Sequence, residues 1–287
     1  MGPIDTGATA NFDITVQSTA FSKRLALAAY GLYAWLAAPI VVIPVLILVA
    51  LAPGLMLRRR IAHWGARALF WLVGSPVRVD GARIDPSASC VVVANHASYL
   101  DGAILTAALP THFTFLIKEE MKDFPAVGFL LRRLGSQFVN RENASQRHRI
   151  GRRLMEAAHR GDALAVFPEG TFDAEPGLRK FRAGAFRAAR RAGIELFPVV
   201  ILGARDKFPA GSAWLRPGPL HVHICEALHA AGYASPQELV RATRAAILEK
   251  LGEPDLDAAQ GRHATSPHSS GHRPLLEAAN ECSEQGP

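Results

Sequence analysis

The chain has 287 residues, 49% hydrophobic and 20% charged, which leaves room for one large α/β domain or two small ones. A net charge of +7 and a pI near 9.7 suit an anionic partner: nucleic acid, an anionic membrane surface or phosphorylated small molecules. Three cysteines, Cys90, Cys225 and Cys282, show neither metal spacing nor a disulfide framework, and this weighs toward a reducing compartment.

Residues 1–22 are small and polar without a strong period and read as a flexible tail. Lys23 and Arg24 precede an uncharged stretch, 25–57, closed by Arg58, Arg59 and Arg60. That stretch is too long for a signal-peptide core and longer than the roughly 20 residues a spanning helix needs. Pro39, Pro44 and Pro53 argue against one straight helix. Two arrangements fit: a kinked span with its end along the interface, or a re-entrant hairpin with both ends on one side. The triple arginine outweighs the upstream basic pair and places the downstream chain in the cytoplasm. Residues 61–73 mix Trp64, Phe70 and Trp71 with His63 and Arg67, as in an interfacial amphipathic or membrane-dipping helix, and Gly74-Ser75-Pro76 ends it.

From Val77 the pattern changes. Stretches 77–79, 90–94, 113–117, 136–139, 163–167, 194–202 and 220–224 read as strands; 100–109, 124–134, 145–160, 183–192 and 236–251 read as helices. The alternation predicts an α/β fold with a mostly parallel central sheet flanked by helices, behind an N-terminal membrane-embedded helical segment. The expected organisation is a tail over 1–22, a membrane-anchoring segment over 23–74, a catalytic domain over 75–252 and a disordered tail over 253–287.

The apolar run 90–94 climbs to Asn95-His96, and Asp101 lies five residues after the histidine. Ser98-Tyr99-Leu100-Asp101 has the form of a capping box, with Ser98 as N-cap. His96 then lies at a strand's carboxyl end, where ligands collect in open α/β sheets. A first-turn carboxylate can fold back to one imidazole nitrogen and leave the other as a base. Four strands run into His96, Lys118, Arg141 and Glu169; a parallel sheet would bring a base, two cations and an acid to one edge.

Asn95-His96-x4-Asp101 resembles the first block of the glycerolipid acyltransferases, the 1-acylglycerol-3-phosphate acyltransferase family. Gly135-Ser136-Gln137-Phe138-Val139-Asn140-Arg141, Phe167-Pro168-Glu169-Gly170-Thr171 and Phe197-Pro198-Val199-Val200 are similar to its next three blocks, and Phe181-Arg182-Ala183-Gly184-Ala185-Phe186 also fits. The likeness covers residues 75–225, in order.

The resemblance implies a membrane-associated O-acyltransferase of phospholipid biosynthesis. It would move a fatty acyl group from acyl-CoA or acyl carrier protein to a lysolipid hydroxyl, as in 1-acyl-sn-glycerol-3-phosphate. His96 would be the base and Asp101 would orient it. Lys118 and Arg141 would hold the acceptor's phosphate, and Glu169, Gly170 and Thr171 would shape its pocket or offer amides to the oxyanion. The plainer alternative for Glu169 is a pairing that serves the fold. A thiol leaves readily, so no cofactor or metal is expected, and there is no Gly-x-Ser-x-Gly elbow for a serine hydrolase. One departure stands out: many members carry a basic residue after the third block, and here it is Phe172, which puts the acceptor's identity in doubt. Arg179, Lys180 or Arg182 would have to supply the charge, or the acceptor is another lysolipid. A transacylase or an inactive lipid-binding protein are the remaining alternatives. His221 and His223 share one strand face without further ligands, so metal is not expected there. No nucleic-acid module is recognisable, and the expected partners are membrane lipids and the two substrates.

Overall fold

The computed structural model describes residues 7–139 and 163–258, with side chains from Ser22 onward. In chain order the elements are α1 (Gly7–Leu51), α2 (Leu55–Leu72), β1 (Val77–Gly81), β2 (Cys90–Ala94), α3 (Asp101–Ala108), β3 (Phe113–Lys118), a 3-10 turn (Glu119–Asp123), α4 (Pro125–Arg133), β4 (Gln137–Val139), β5 (Ala163–Val166), α5 (Gly184–Ala192), β6 (Glu195–Leu202), a one-turn helix (Ala204–Lys207), β7 (Leu220–Ile224), β8 (Leu228–His229) and α6 (Pro236–Leu251). The predicted helix over 145–160 lies outside the described residues.

The sheet order is β1-β7-β6-β2-β5-β3-β4, with β8 paired to β6. Strands β6, β2, β5, β3 and β4 run parallel, while β7 meets β6 antiparallel and pairs with β1 in parallel. This is the mostly parallel sheet flanked by helices that the alternation predicts. All five residues of β2 are buried, because the strand is central and covered on both faces. One face carries Val92, Ala94, Phe197 and Val199 against Phe70 of α2 and Ile104 and Leu105 of α3. The other carries Val91, Val93, Leu164 and Val200 against Phe186 of α5 and Leu239 and Ile247 of α6. Each such Leu or Phe, fully buried, contributes roughly 1.5–3 kcal/mol before chain entropy is counted.

Pro198 sits inside β6, where a missing N–H would normally break a ladder. Along one side of β6 the partner changes from β8, opposite Glu195 and Leu196, to β7, whose last residue Ile224 lies opposite Val199. The Pro198 carbonyl on that side accepts from Cys225 N–H. The imino nitrogen therefore faces the switch between partners and breaks no ladder bond.

α1 and α2 form an antiparallel pair. Tyr30 and Tyr33 hydroxyls donate to the carbonyls of Val73 and Leu72 at 2.8 and 2.6 Å, and Gly65 lies against Val45, so closely that a Cβ would come 2.4 Å from a Val45 methyl. Both Pro39 and Pro44 lie inside the single helix α1, which stops only at Pro53-Gly54, with Gly54 at φ 74°. Its last carbonyls would be orphaned. Arg133 donates to Val49 and Ala50, and Arg58 to Ala52. α1 begins at Gly7, inside the stretch read as a tail: no proline interrupts it before Pro39, and an established helix extends cheaply.

α2 is amphipathic, with an aromatic outer face. Two of its cations face the domain: Arg59 donates to the carbonyls of His112 and Leu134, and Arg67 to that of Ala107. Trp64 and Trp71 point outward, 66% and 72% exposed. α1 likewise leaves Leu32, Leu36, Ile40, Ile43, Ile47 and Leu51 exposed along one stripe. Ser22–Leu51, at 30 residues, is long and apolar enough to cross a membrane. A buried lysine bolts this helix to the domain: Lys207 Nζ donates to Tyr30 Oη at 2.7 Å, to Ser75 Oγ and to the Arg216 carbonyl at 3.2 Å.

Candidate active site

His96 lies two residues beyond the end of β2. The side chain of Asn95 before it pairs with Ile201 of β6, accepting at 2.7 Å and donating at 3.1 Å, so the end of β2 is fixed across the sheet. Asp101, fully buried, opens α3. Its Oδ2 accepts from His96 Nδ1 at 2.8 Å, Ala97 N–H at 2.7 Å and Ser98 N–H at 2.9 Å. A carboxylate only accepts, so Nδ1 carries the ring proton and Nε2 is left with its lone pair. Asp101 Oδ1 is buried without a hydrogen-bond partner among the described residues.

The predicted capping box is half present. Asp101 reaches back to the Ser98 N–H, but Ser98 is not the N-cap: Leu100 is, and the Asp101 N–H goes to the Ser98 carbonyl at 3.2 Å. The histidine draws the carboxylate toward the strand, so α3 starts at the acid itself. Ser98 Oγ instead donates to the Phe208 carbonyl at 2.9 Å, one residue beyond Lys207.

Glu169 joins two backbone segments. It is 5% exposed, and both its oxygens are engaged by backbone: Oε1 accepts from His96 N–H at 2.7 Å, Oε2 from Arg179 N–H at 2.9 Å. The reason lies in the register. Val93 pairs with Val166, so three residues on, His96 and Glu169 are level on adjacent strands. Burial pushes the Glu169 carboxyl up from the usual 4.5 to about 7, against the two amide hydrogen bonds that lower it. A raised value means this group's favourable contribution is full below about pH 4.5 and is lost as pH rises to about 7. Wild-type stability should therefore fall across that window relative to Glu169→Gln, which has no proton to lose, by a few kcal/mol at most. Urea unfolding of the two proteins at several pH values checks this, and parallel curves would refute it.

The imidazole lies in an aromatic frame. It stacks on Phe167 at 4.4 Å and 18°, and meets Phe172 at 4.5 Å and 61°. Tyr99 packs edge-on to Phe172 at 4.7 Å. Phe172, the residue that departs from the family pattern, thus forms a wall of the histidine's surroundings. Tyr99 sits among the unspecified positions of the first block, and no sequence signal singled it out.

The other predicted residues divide. Lys118 ends β3, two strands from β2, so its backbone is roughly 10 Å from that of the histidine strand. It is half-exposed and pairs with Glu120 at 3.1 Å. Arg141 lies outside the described residues. Gly170 adopts φ 82° and its N–H donates to the Phe167 carbonyl at 3.2 Å, which commits that amide to the turn. The Thr171 N–H has no partner among the described residues. Arg179 pairs with Asp173, and Lys180 and Arg182 are exposed. His221 and His223 both meet Asp80, at 3.0 and 2.6 Å, and among the described residues no group of three or more His, Cys, Asp or Glu could hold a metal.

The structure thus sets a His–Asp pair at the carboxyl edge of a mostly parallel sheet, with the acid fully buried and the imidazole partly exposed. Residues 76–202, somewhat under half of the chain, match the family described as Acyltransferase. It is 36% identical over 157 residues to the lyso-ornithine lipid O-acyltransferase of Pseudomonas aeruginosa, covering 55% of this chain and 59% of that one. It is 32% identical over 111 residues to the 1-acyl-sn-glycerol-3-phosphate acyltransferase of Neisseria gonorrhoeae, covering 39% and 43%. The matches span about half the length of these relatives. The crystal structure of the 1-acyl-sn-glycerophosphate acyltransferase PlsC from Thermotoga maritima superposes with a TM-score of 0.67 at 21% identity, over 85% of this chain and 99% of that one, and shares the fold.

Proposed function

We propose that the protein transfers a fatty acyl group from an acyl thioester, acyl-CoA or acyl carrier protein, to the free hydroxyl of a lysolipid at a membrane surface. The observation that carries this is the 2.8 Å contact of His96 Nδ1 with buried Asp101, which leaves Nε2 as the base. Nε2 takes the hydroxyl proton as the oxygen attacks the thioester carbonyl. Asp101 stabilises the imidazolium that results. The tetrahedral oxyanion draws donors such as the Thr171 amide. Collapse expels the thiolate, which takes the proton back from Nε2. No resident metal or cofactor enters this scheme. The outward stripe of α1 and the exposed Trp64 and Trp71 of α2 form the lipid-facing side, with the catalytic domain on the cytoplasmic face.

The acceptor has two readings. The phosphate reading, a 1-acyl-sn-glycerol-3-phosphate held by Lys118 and Arg141, draws on the matched blocks and on relatives of that name. The second is a phosphate-free acceptor such as lyso-ornithine lipid. It is favoured by Phe172, which sets an aromatic ring beside His96 where a cation would serve a phosphate, and by the relative of that name. An assay of the purified protein against both lysolipids, with acyl-CoA and acyl-carrier-protein donors, tests the reading. Under the phosphate reading Arg141→Ala raises the KM for lysophosphatidic acid at least about tenfold more than that for the donor. Equal effects on both would sink the clamp, and turnover of neither lysolipid would sink the function.

A further inference from the structure

Of the stretch 253–287, whose composition reads as a disordered tail, residues 253–258 are described and pair with the domain, and the rest lies outside the described residues. Pro254 and Leu256 pair with the loop beyond Glu169: Leu178 N–H donates to the Pro254 carbonyl at 2.8 Å and Leu256 N–H to the Leu178 carbonyl at 3.1 Å, a one-rung parallel bridge. Glu253 accepts from Gly177 N–H at 2.7 Å and takes Arg205 through both oxygens, at 3.1 and 3.0 Å. Arg205 in turn donates to the carbonyls of Asp173 and Glu175 at 2.8 and 2.9 Å. Arg244 of α6, 6% exposed, bonds the carbonyls of Leu178 and Arg179 and the carboxylate of Asp255. Gly177 passes so close beneath Leu256 that a Cβ would lie 2.5 Å from Leu256 Cγ. The strapped loop runs from Phe172, which packs on the His96 ring, to Arg179, whose N–H holds the Glu169 carboxylate that holds the His96 N–H.

We infer that residues Glu253–Leu256 form a strap that positions the catalytic histidine, acting through the Asp173–Arg179 loop and Glu169. This rests on the reading of His96 as the base. No strap residue touches the imidazole, so these are positioning residues. The network has a distinct form. Two arginines from the domain interior, Arg205 and Arg244, each join one strap carboxylate to loop carbonyls, so loop and strap are held in common. An Asp, Pro and Glu segment satisfies backbone groups that a free loop would leave to water, and it fixes loop carbonyls that a moving loop would present in many orientations. Displacement of a catalytic group by about an ångström costs on the order of 100-fold in rate, so a small shift of Glu169 is enough to be measured.

The test uses the full-length protein in detergent micelles, with steady-state kinetics for both substrates and the folded fraction measured by near-ultraviolet circular dichroism. The double variant Glu253→Ala/Asp255→Ala is expected to lower kcat per folded molecule roughly 10- to 100-fold, with both KM values within about twofold of wild type. Glu253→Gln/Asp255→Asn keeps acceptors for the Gly177 amide and for both arginines, and should recover most of that loss. If the alanine variant unfolds, Leu256→Ser, which removes the side chain over Gly177 and leaves the backbone bridge, decides the matter by the same kcat criterion. A wild-type kcat per folded molecule in Glu253→Ala/Asp255→Ala, or in Leu256→Ser where the alanine pair unfolds, overturns the strap, and so does an alanine defect carried equally by kcat and KM that Gln/Asn does not restore. Normal transfer by a His96 variant would overturn the base assignment instead, so the two failures are distinguishable.

Discussion

Replacing His96 with alanine is expected to lower kcat at least about 10³-fold while leaving the fold and membrane attachment intact. The proton of a lysolipid hydroxyl has no other described acceptor so placed. Asp101 is fully buried behind the ring, and Glu169 has both oxygens taken by amides. The fold should tolerate the change. The imidazole is 20% exposed, and its loss leaves Asp101 Oδ2 with the Ala97 and Ser98 amides and Glu169 with its contact to the residue 96 backbone N–H. What is lost is one hydrogen bond and the contact of Phe167 and Phe172 with the ring, a cost on the order of 1–2 kcal/mol. Thiol release from an acyl thioester, measured with and without lysolipid, reads the effect. A variant that retains more than a tenth of wild-type transfer would sink the assignment of the base.

Much of this site is legible in the residues, and what is not has identifiable causes. The run Cys90–Ala94 is apolar at every position because β2 is covered on both sides, and that pattern alone locates His96 at a strand's carboxyl end. The carboxylate of Asp101 is close to the histidine in sequence, so local geometry foretells it. Glu169 is 73 positions away, and its partner depends on β5 lying beside β2 with Val166 opposite Val93, which no short-range pattern encodes. Lys118 shares the edge, as the parallel reading requires, but the inserted β5 sets it two strands out. The strap escapes for a different reason. Its hydrogen bonds go to an irregular loop, so Glu253-Pro254-Asp255 shows no period and reads as coil. Residues 61–73 read as an amphipathic helix with no face assigned to its cations, because the carbonyls that Arg59 and Arg67 bond, at the ends of α3 and α4, are set by the tertiary fold.

Asp101→Asn separates charge from shape and should cost roughly 10²- to 10⁴-fold in kcat with little change in either KM. The asparagine oxygen can take the place of Oδ2 and keep the Ala97 and Ser98 amides, and with them the start of α3. Its NH₂ then falls at the Oδ1 position, which is buried without a partner among the described residues, so the variant should also lose about 1–3 kcal/mol of stability. The alternative rotamer, with NH₂ toward the histidine, would face three donors and would force Nδ1 to become an acceptor, moving the ring proton to Nε2 and abolishing the base. Either way the imidazolium formed during transfer loses the negative charge 2.8 Å from Nδ1. Asp101→Ala is the harsher change, because it strands two buried amides as well, and it should reduce folded protein more than Asp101→Asn does. The measurement is kcat per folded molecule beside thermal unfolding for both variants. An Asp101→Asn protein with kcat within tenfold of wild type would mean that the carboxylate holds the turn and contributes nothing to the proton transfer.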